Sequence, residues 1–158
     1  MSAPHPRPDG FHLAQANIAR MRAPLDDPSM ADFVARLEPV NARADSWPGF
    51  VWRLQTEAGD ATAIRAFDDP LILFNMSVWE SVEALKAFAY RGEHLEVFQE
   101  RQRWFTALDR LPHVLWWVAR GHRPTVDEAK ARFESLWSVG PTPEAFTFGR
   151  ISLPATQR

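Results

Sequence analysis

The segment 71–79 (LILFNMSVW) predicts a β-strand that is apolar on both faces, and no other feature of the sequence constrains the fold as strongly. Successive residues of a strand point to opposite faces of its sheet, so both faces of this strand need a cover. One of the two faces is purely apolar. The other carries the polar atoms of Asn75 and Ser77 beside the large ring of Trp79.

Three further segments alternate in the same way and predict strands over residues 11–21, 50–56 and 113–119. The last of these is again apolar on both faces. In the first, Gln15 and Asn17 share one face of the strand. The sequence therefore predicts four strands, of which at least two lie inside a covered sheet.

Helical spacing of apolar residues separates these strands. Residues 30–45 repeat at three- and four-residue intervals and predict a helix with Ser29 as its N-cap. Ser81 opens a second helix, which breaks at Gly92 because glycine weakens a helix interior. A further helix is predicted over 93–109.

The order β-α-β-β-α-β predicts an α+β fold of the ferredoxin-like type. Thr125 and Glu128 form a capping box that opens an added C-terminal helix over 125–138. A ferredoxin-like sheet carries helices on one face, so the second apolar face needs another cover. We expect that cover to be the sheet of a second subunit, in a homodimer.

Composition narrows the class of protein. The chain has 158 residues, no cysteine and a formal net charge of -2, which excludes disulfides and thiolate sites and argues against a nucleic-acid partner. No apolar run approaches the roughly 20 residues of a membrane span. We expect a flexible leader at 1–10 without the apolar segment of a signal peptide, one domain over 11–150, a tail at 151–158, and a cytoplasmic location.

The chain is unusually rich in tryptophan and phenylalanine. The chain has 7 Trp and 11 Phe beside a single Tyr. Such side chains dominate cores and interfaces, and they also line pockets for flat or hydrophobic ligands. Both interpretations stay open, and they are compatible.

Residues 77–105 place several reactive side chains around one junction between a strand and a helix. His94 follows the Gly92 break, and a neutral imidazole at a helix start can act as a general base. Alternatively, His94 packs or caps the break. Tyr90 and Arg91 precede it, and Arg91 either binds a carboxylate of the substrate or forms a salt bridge to a neighbouring helix.

Asn75 and Ser77 face the same way as Trp79, and a buried amide needs a hydrogen-bond partner. A substrate carbonyl is one candidate partner, and a backbone group of a neighbouring loop is the other. Further aromatic candidates for substrate binding are Trp104, Phe105, Trp116 and Trp117, and one of the adjacent pair should face the helices and the other the partner subunit.

A metal site is not expected. His113 and His122 bracket the last predicted strand, and the strand rise of about 3.3 Å per residue puts them roughly 30 Å apart. The sequence also contains no glycine-rich phosphate loop and no nucleophile elbow.

The sequence resembles the dimeric α/β-barrel superfamily, which includes antibiotic-biosynthesis monooxygenases and haem-degrading monooxygenases. More closely, it resembles an uncharacterised bacterial domain family within that group. The matching segments are 61–70 (ATAIRAFDDP), 75–94 (NMSVWESVEALKAFAYRGEH), 103–105 (RWF), 116–125 (WWVARGHRPT) and 140–148 (GPTPEAFTF).

The resemblance implies roles for four residues. Asn17 and Asn75 are similar to the amide that holds substrate and oxygen in the monooxygenases, Trp79 to the Trp that closes the third strand, and His94 to a His that follows the second helix. The iron-binding His of the haem-degrading members is replaced by Phe98, which cannot bind iron.

Three functions follow as alternatives. The first is a small enzyme, without a cofactor, that acts on a hydrophobic or aromatic metabolite in a homodimer, by oxygenation or by isomerisation or cyclisation. In an oxygenation, His94 would be the base that forms the substrate anion, and Asn75, Asn17 and Trp79 would be the donors that stabilise it. The second is a non-catalytic ligand-binding or stress-response dimer. The third is a haem-binding protein in which His94 supplies the axial ligand.

Overall fold

Five β-strands form one antiparallel sheet in the part of the chain that the structure describes. The structure, a computed structural model, describes residues 8–55, 64, 66–90 and 100–154. The strands are β1 (Phe11–Met21), β2 (Phe50–Arg53), β3 (Ile72–Trp79), β4 (Phe105–Thr106) and β5 (His113–Ala119). The helices are α1 (Ala31–Asp45), α2 (Val82–Ala89) and α3 (Val126–Val139), with 3-10 turns at Pro28–Met30, Arg101–Arg103 and Phe148–Arg150.

β1 is the central strand of the sheet. It pairs with β3 along one edge, and along the other edge with β5 and, at its end, with the short β4. β2 pairs with the outer edge of β3. The strand order β2-β3-β1-β5 confirms the predicted α+β, ferredoxin-like class, with β5 as the fourth long strand.

Two of the three predicted helix caps are confirmed. The hydroxyl oxygens of Ser81 and Thr125 each accept a hydrogen bond of 3.1 Å from the amide three residues later. The third prediction is wrong, because Asp27 rather than Ser29 provides the cap: its carboxylate accepts from the Ser29 amide and opens the 3-10 turn before α1.

The predicted helix over 93–109 is wrong in its second half, and residues 91–99 lie outside the described part of the chain. Residues 101–103 form a 3-10 turn, and β4 then pairs with the end of β1. The reason is aromatic packing: Trp104 and Phe105 lie 5.6 and 5.1 Å from the ring of Phe33 on α1. This contact holds the segment against α1 and the sheet edge.

Both faces of the sheet are covered within the chain. On one face, Leu13, Trp79 and Leu115 pack against α1 and α2. On the other, Trp116 and its neighbours pack against α3, whose Phe133 is fully buried. The cover that we expected from a second subunit is therefore supplied by the C-terminal helix.

Trp116 and Trp117 point to opposite faces, as alternation predicts. The indole nitrogen of Trp116 donates to Glu128 of α3 at 2.9 Å, so this ring faces α3 rather than a partner subunit. Trp117 lies on the α1 and α2 side and donates to the carbonyl of Ser152 at 2.6 Å. A homodimer stays a prediction, and α3 here occupies the sheet face that we expected at its interface.

Candidate ligand cavity

A cavity of about 520 Å³ lies between the sheet and helices α1 and α2. Its size is in the range of small-molecule sites. Trp79 closes one end of its sheet wall, where β3 turns into α2, and Ala44 of α1 lines the opposite side. The aromatic side chains that line it are Phe50, Trp79, Phe88, Tyr90, Phe105 and Phe148.

A row of polar side chains crosses the sheet wall of the cavity. This polar row consists of Gln15 and Asn17 on β1, Ser77 on β3 and His113 on β5. Nε2 of Gln15 donates to Oγ of Ser77 at 2.7 Å. Oε1 of Gln15 accepts from Nδ2 of Asn17 at 3.0 Å and lies 2.9 Å from Nε2 of His113.

Trp79 joins the polar row from its own strand. Its indole nitrogen donates to Oγ of Ser77 at 2.8 Å. An indole N–H can only donate, so the direction of this bond is fixed. The oxygenase hypothesis uses Trp79 as a donor to the substrate anion, but the single N–H of its indole ring already bonds to Ser77. The ring therefore forms part of the cavity wall.

Strand register explains why these side chains meet. Gln15 stands opposite Ser77 on β3 and Leu115 on β5, while Asn17 stands opposite Asn75 and His113. Gln15 and Ser77 are 3% and 7% exposed, so both are nearly buried. The Gln15 side chain bonds to Ser77 through its nitrogen and accepts from Asn17 through its oxygen, while Ser77 also accepts from Trp79, in keeping with the rule that buried polar groups find partners.

Three arginines line the rim of the cavity. They are Arg53, Arg101 and Arg110, and the described lining residues include no carboxylate. Arg53 binds both oxygens of Asp45 at 2.7 and 3.3 Å, which fixes its cationic group at the edge of the wall. Arg110 likewise contacts Asp109 at 3.4 Å, so carboxylates just outside the lining offset the charge of two of the three arginines.

The structure brings most of the predicted site residues together. Those that line the cavity are Asn17, Asn75, Ser77, Trp79, Tyr90 and Phe105. The expectation of a buried amide at Asn75 is wrong, because Asn75 is exposed whereas Ser77 is buried. Trp104, Trp116 and Trp117 are predicted substrate-binding residues that do not line the cavity. All three are buried, and their rings pack against other residues of the protein. Arg91 and His94 lie outside the described residues, so their roles stay predictions.

Sequence reasoning did not assign a role to Gln15, and it considered His113 only for metal. Alternation did place Gln15 on the Asn17 face of β1, which was the available signal. What was missing was the pairing of β5 with β1, which brings His113 to the same wall. Within the described ranges, no three metal-ligating side chains lie close enough to hold an ion.

The family described as a domain of unknown function (DUF3291) matches residues 12–158. None of the curated proteins matches the chain. Among solved structures, a mutant of SnoaB, a cofactor-independent oxygenase from Streptomyces nogalater, is similar at 18% identity and a TM-score of 0.48, over 72% of this chain and 98% of its own.

Two further structures are similar in the same way. Rv0793 from Mycobacterium tuberculosis matches at 13% identity and a TM-score of 0.48, over 72% of this chain and 99% of its own. NE2512 from Nitrosomonas europaea, a protein of unknown function, matches at 13% and 0.44, over 73% and 95%. Similarity at this level concerns the fold, so the reaction must be argued from the cavity. No helix that the structure describes is both long and apolar enough to span a membrane.

Proposed function

The chain belongs to the DUF3291 family, whose function is unknown, and from this premise we propose that it is a small enzyme that oxidises an aromatic or otherwise hydrophobic metabolite with dioxygen, without a resident cofactor. The observation that supports this is the cavity between sheet and helices, with aromatic walls and one polar wall. An apolar pocket with a few convergent polar groups is the usual form of a small-molecule site.

The proposed reaction needs only dioxygen as a co-reactant. A base removes a proton from an activated methylene group or phenol of the substrate. The resulting anion transfers an electron to dioxygen, and the two radicals combine as a peroxide on carbon. The peroxide takes back the proton and loses water, which leaves a carbonyl group. The substrate supplies all the electrons, so the protein contributes a base, anion stabilisation and exclusion of bulk water.

Amide donors fit the role of anion stabilisation. Asn17 and Asn75 form a directly opposed pair on β1 and β3, and both line the cavity. Asn17 spends one N–H on Gln15, and its amide has a second N–H to offer. Its bond to Gln15 holds the Asn17 amide in place before the reaction, and donors held in this way stabilise developing negative charge without reorganisation. Asn75 is exposed, so it is the weaker of the two candidates.

Two histidines are candidates for the base. His94 is the one that the sequence predicts. His113 lies on the cavity wall, where its Nε2 is 2.9 Å from Gln15 and its ring centroid is 5.2 Å from that of Phe148. A general base must reach the substrate directly or through a single water, and the place of His113 in the lining of the cavity supports this role.

The second candidate function is binding without turnover. It is favoured by the hydrogen bonds inside the polar row, which tie Gln15, Asn17, Ser77 and Trp79 to one another, since a preformed pocket can simply hold a ligand. In either case the proposed assembly is a homodimer with an interface other than the sheet face under α3, and the proposed location is the cytoplasm. Light scattering measures the assembly.

Oxygen uptake with a panel of hydroxyquinones and anthrone-type phenols tests the proposal. We expect uptake with at least one compound, at one dioxygen per product, and a loss of about 10²-fold or more when the base is replaced by Ala. The variants are His94→Ala and His113→Ala, and His122→Ala, on the far side of the sheet, is the matched control.

The outcomes separate the alternatives. Unchanged turnover in His94→Ala with loss in His113→Ala assigns the base to His113. Tight binding of the panel without any oxygen uptake supports the non-catalytic alternative. A Soret band after titration with haem, lost in His94→Ala, would instead support the haem-binding alternative.

A further inference from the structure

Both lone pairs of the Ser77 hydroxyl oxygen accept hydrogen bonds from other residues of the protein. A serine hydroxyl has one O–H donor and two lone pairs that accept. Trp79 Nε1 donates to Oγ at 2.8 Å, and Gln15 Nε2 donates to the same atom at 2.7 Å. The only capacity left to Ser77 is donation.

The orientation of the Gln15 amide rests on two further contacts. Its oxygen accepts from Nδ2 of Asn17 and lies within hydrogen-bond distance of Nε2 of His113, so its nitrogen is turned toward Ser77. Trp79 and Gln15 therefore both donate hydrogen bonds to Ser77, and Ser77 donates to neither. The described residues offer the Ser77 hydroxyl no acceptor, and Ser77 lines the cavity.

We propose that this site takes a ligand whose ring carries an acceptor oxygen, a carbonyl or an ionised hydroxyl, placed against the Ser77 hydroxyl, and that Ser77 selects such ligands over those that present an N–H donor. The proposal rests on the proposed function in using the same cavity, and it adds the chemistry of the ligand group. A buried donor left without an acceptor is unfavourable, so a ligand that lacks the oxygen is rejected.

The donor at Ser77 carries this selection, because the charge of the rim is partly offset. Arg53 pairs with Asp45 and Arg110 with Asp109 beside the cavity. An ammonium group is disfavoured because both lone pairs of Ser77 are already engaged, whereas an acceptor oxygen is matched by the remaining O–H. Ser77 is thus a specificity-determining residue, and Gln15 is a positioning residue that acts through it.

Three ligands of matched shape test the proposal by binding alone: α-tetralone, which presents a carbonyl, tetralin, which presents neither group, and α-aminotetralin, which presents an ammonium. Calorimetric titration of the wild type should give α-tetralone a dissociation constant about tenfold below that of tetralin. We expect α-aminotetralin to bind no more tightly than tetralin.

Variants assign the selectivity to named atoms. Ser77→Ala should reduce the preference for α-tetralone over tetralin to about twofold, while tetralin itself binds within about twofold of its wild-type affinity. Gln15→Met keeps the length of the side chain but frees one lone pair of Ser77, so the preference for the ketone over the amine should narrow. Ser138→Ala, an exposed serine at the end of α3, is the control for the substitution itself.

Several results would overturn the inference about Ser77. Tighter binding of the amine than of the ketone would mean that the row runs in the opposite direction and would overturn the inference. An unchanged preference in a folded Ser77→Ala protein would also overturn it. Equal binding of the three compounds overturns the inference but leaves the proposed aromatic cavity intact, whereas the binding of none overturns both.

Discussion

The indole nitrogen of Trp116 donates a 2.9 Å hydrogen bond to one carboxylate oxygen of Glu128, and so joins the middle of β5 to the first turn of α3. The other carboxylate oxygen lies 2.8 Å from Nε2 of His122. Glu128 thus links the helix to the sheet through Trp116 and to the connecting loop through His122. Its protonation is linked to the docking of α3.

Substitution of Glu128 should change the pH dependence of stability. Burial raises the pKa of Glu128, but hydrogen bonds from His122 and Trp116 outweigh it and leave the pKa below the ordinary 4.5. A carboxyl whose folded pKa is lowered stabilises the fold above its unfolded pKa, and this contribution is lost as the pH falls through the folded value. Glu128→Gln should lower the free energy of unfolding at pH 7 by about 1–2 kcal/mol.

Urea unfolding at neutral pH and at several values below 4.5 measures this effect. The wild type should lose stability relative to Glu128→Gln as the pH falls. Glu134→Gln, at an exposed position of the same helix, is the matched control and should behave as the wild type. Parallel pH profiles for wild type and Glu128→Gln would refute the link.

Truncation of Phe133 should show how much the cover by α3 contributes. Phe133 is fully buried, and its ring centroid lies 6.3 Å from that of Phe67. Phe133→Ala removes a large core side chain and should lower the free energy of unfolding by about 3–5 kcal/mol. Val139→Ala on the same helix, at a residue 71% exposed, should cost under about 0.5 kcal/mol. Similar losses for the two variants would mean that α3 does not cover the sheet in solution.

Alanine at Gly49 should destabilise the corner between α1 and β2. Gly49 has φ 86°, and an added Cβ would lie 2.5 Å from Cβ of Ala84 on α2. The left-handed backbone costs about 1–2 kcal/mol for a residue with Cβ, and the overlap adds about 1–3 kcal/mol. Gly121→Ala has a similar φ of 91° with open space around it, so it isolates the backbone component. Thermal unfolding of both variants should show the larger loss for Gly49→Ala.

A larger side chain at Ala44 should close the cavity. Ala44 is buried on α1 and lines the cavity opposite the sheet. Ala44→Phe should weaken the binding of a bicyclic ketone by more than tenfold, because the new ring occupies the space of the ligand. Ala42→Phe places the same ring on the exposed side of the helix and should bind as the wild type does. Unchanged affinity in Ala44→Phe would show that ligands bind elsewhere.

Most of the helices and strands could be predicted from short-range patterns in the sequence. The bounds of β5 match the prediction because alternation and the flanking turns both act within that segment. The caps at Ser81 and Thr125 are equally local, since each bond spans three residues. The helix predicted over residues 101–106 is wrong because the conformation of this segment depends on contacts with Phe33, which is far away in the sequence.

The candidate site was predictable only in part. Asn75, Ser77 and Trp79 share a strand face, so alternation alone groups them. Gln15 and His113 join them through strand pairings that link residues 62 and 98 positions apart. No local pattern reports such register, and it is register that turns separate polar residues into one row.

The position of α3 along the chain affects how the protein can be made. Residues 126–139 are synthesised after all five strands, β1 to β5, that the structure describes. Until they leave the ribosome, the nascent sheet presents Trp116, Phe74 and their neighbours to water on its uncovered side. Aggregation during translation, or capture by a chaperone, should therefore be most pronounced in chains stalled before this helix emerges.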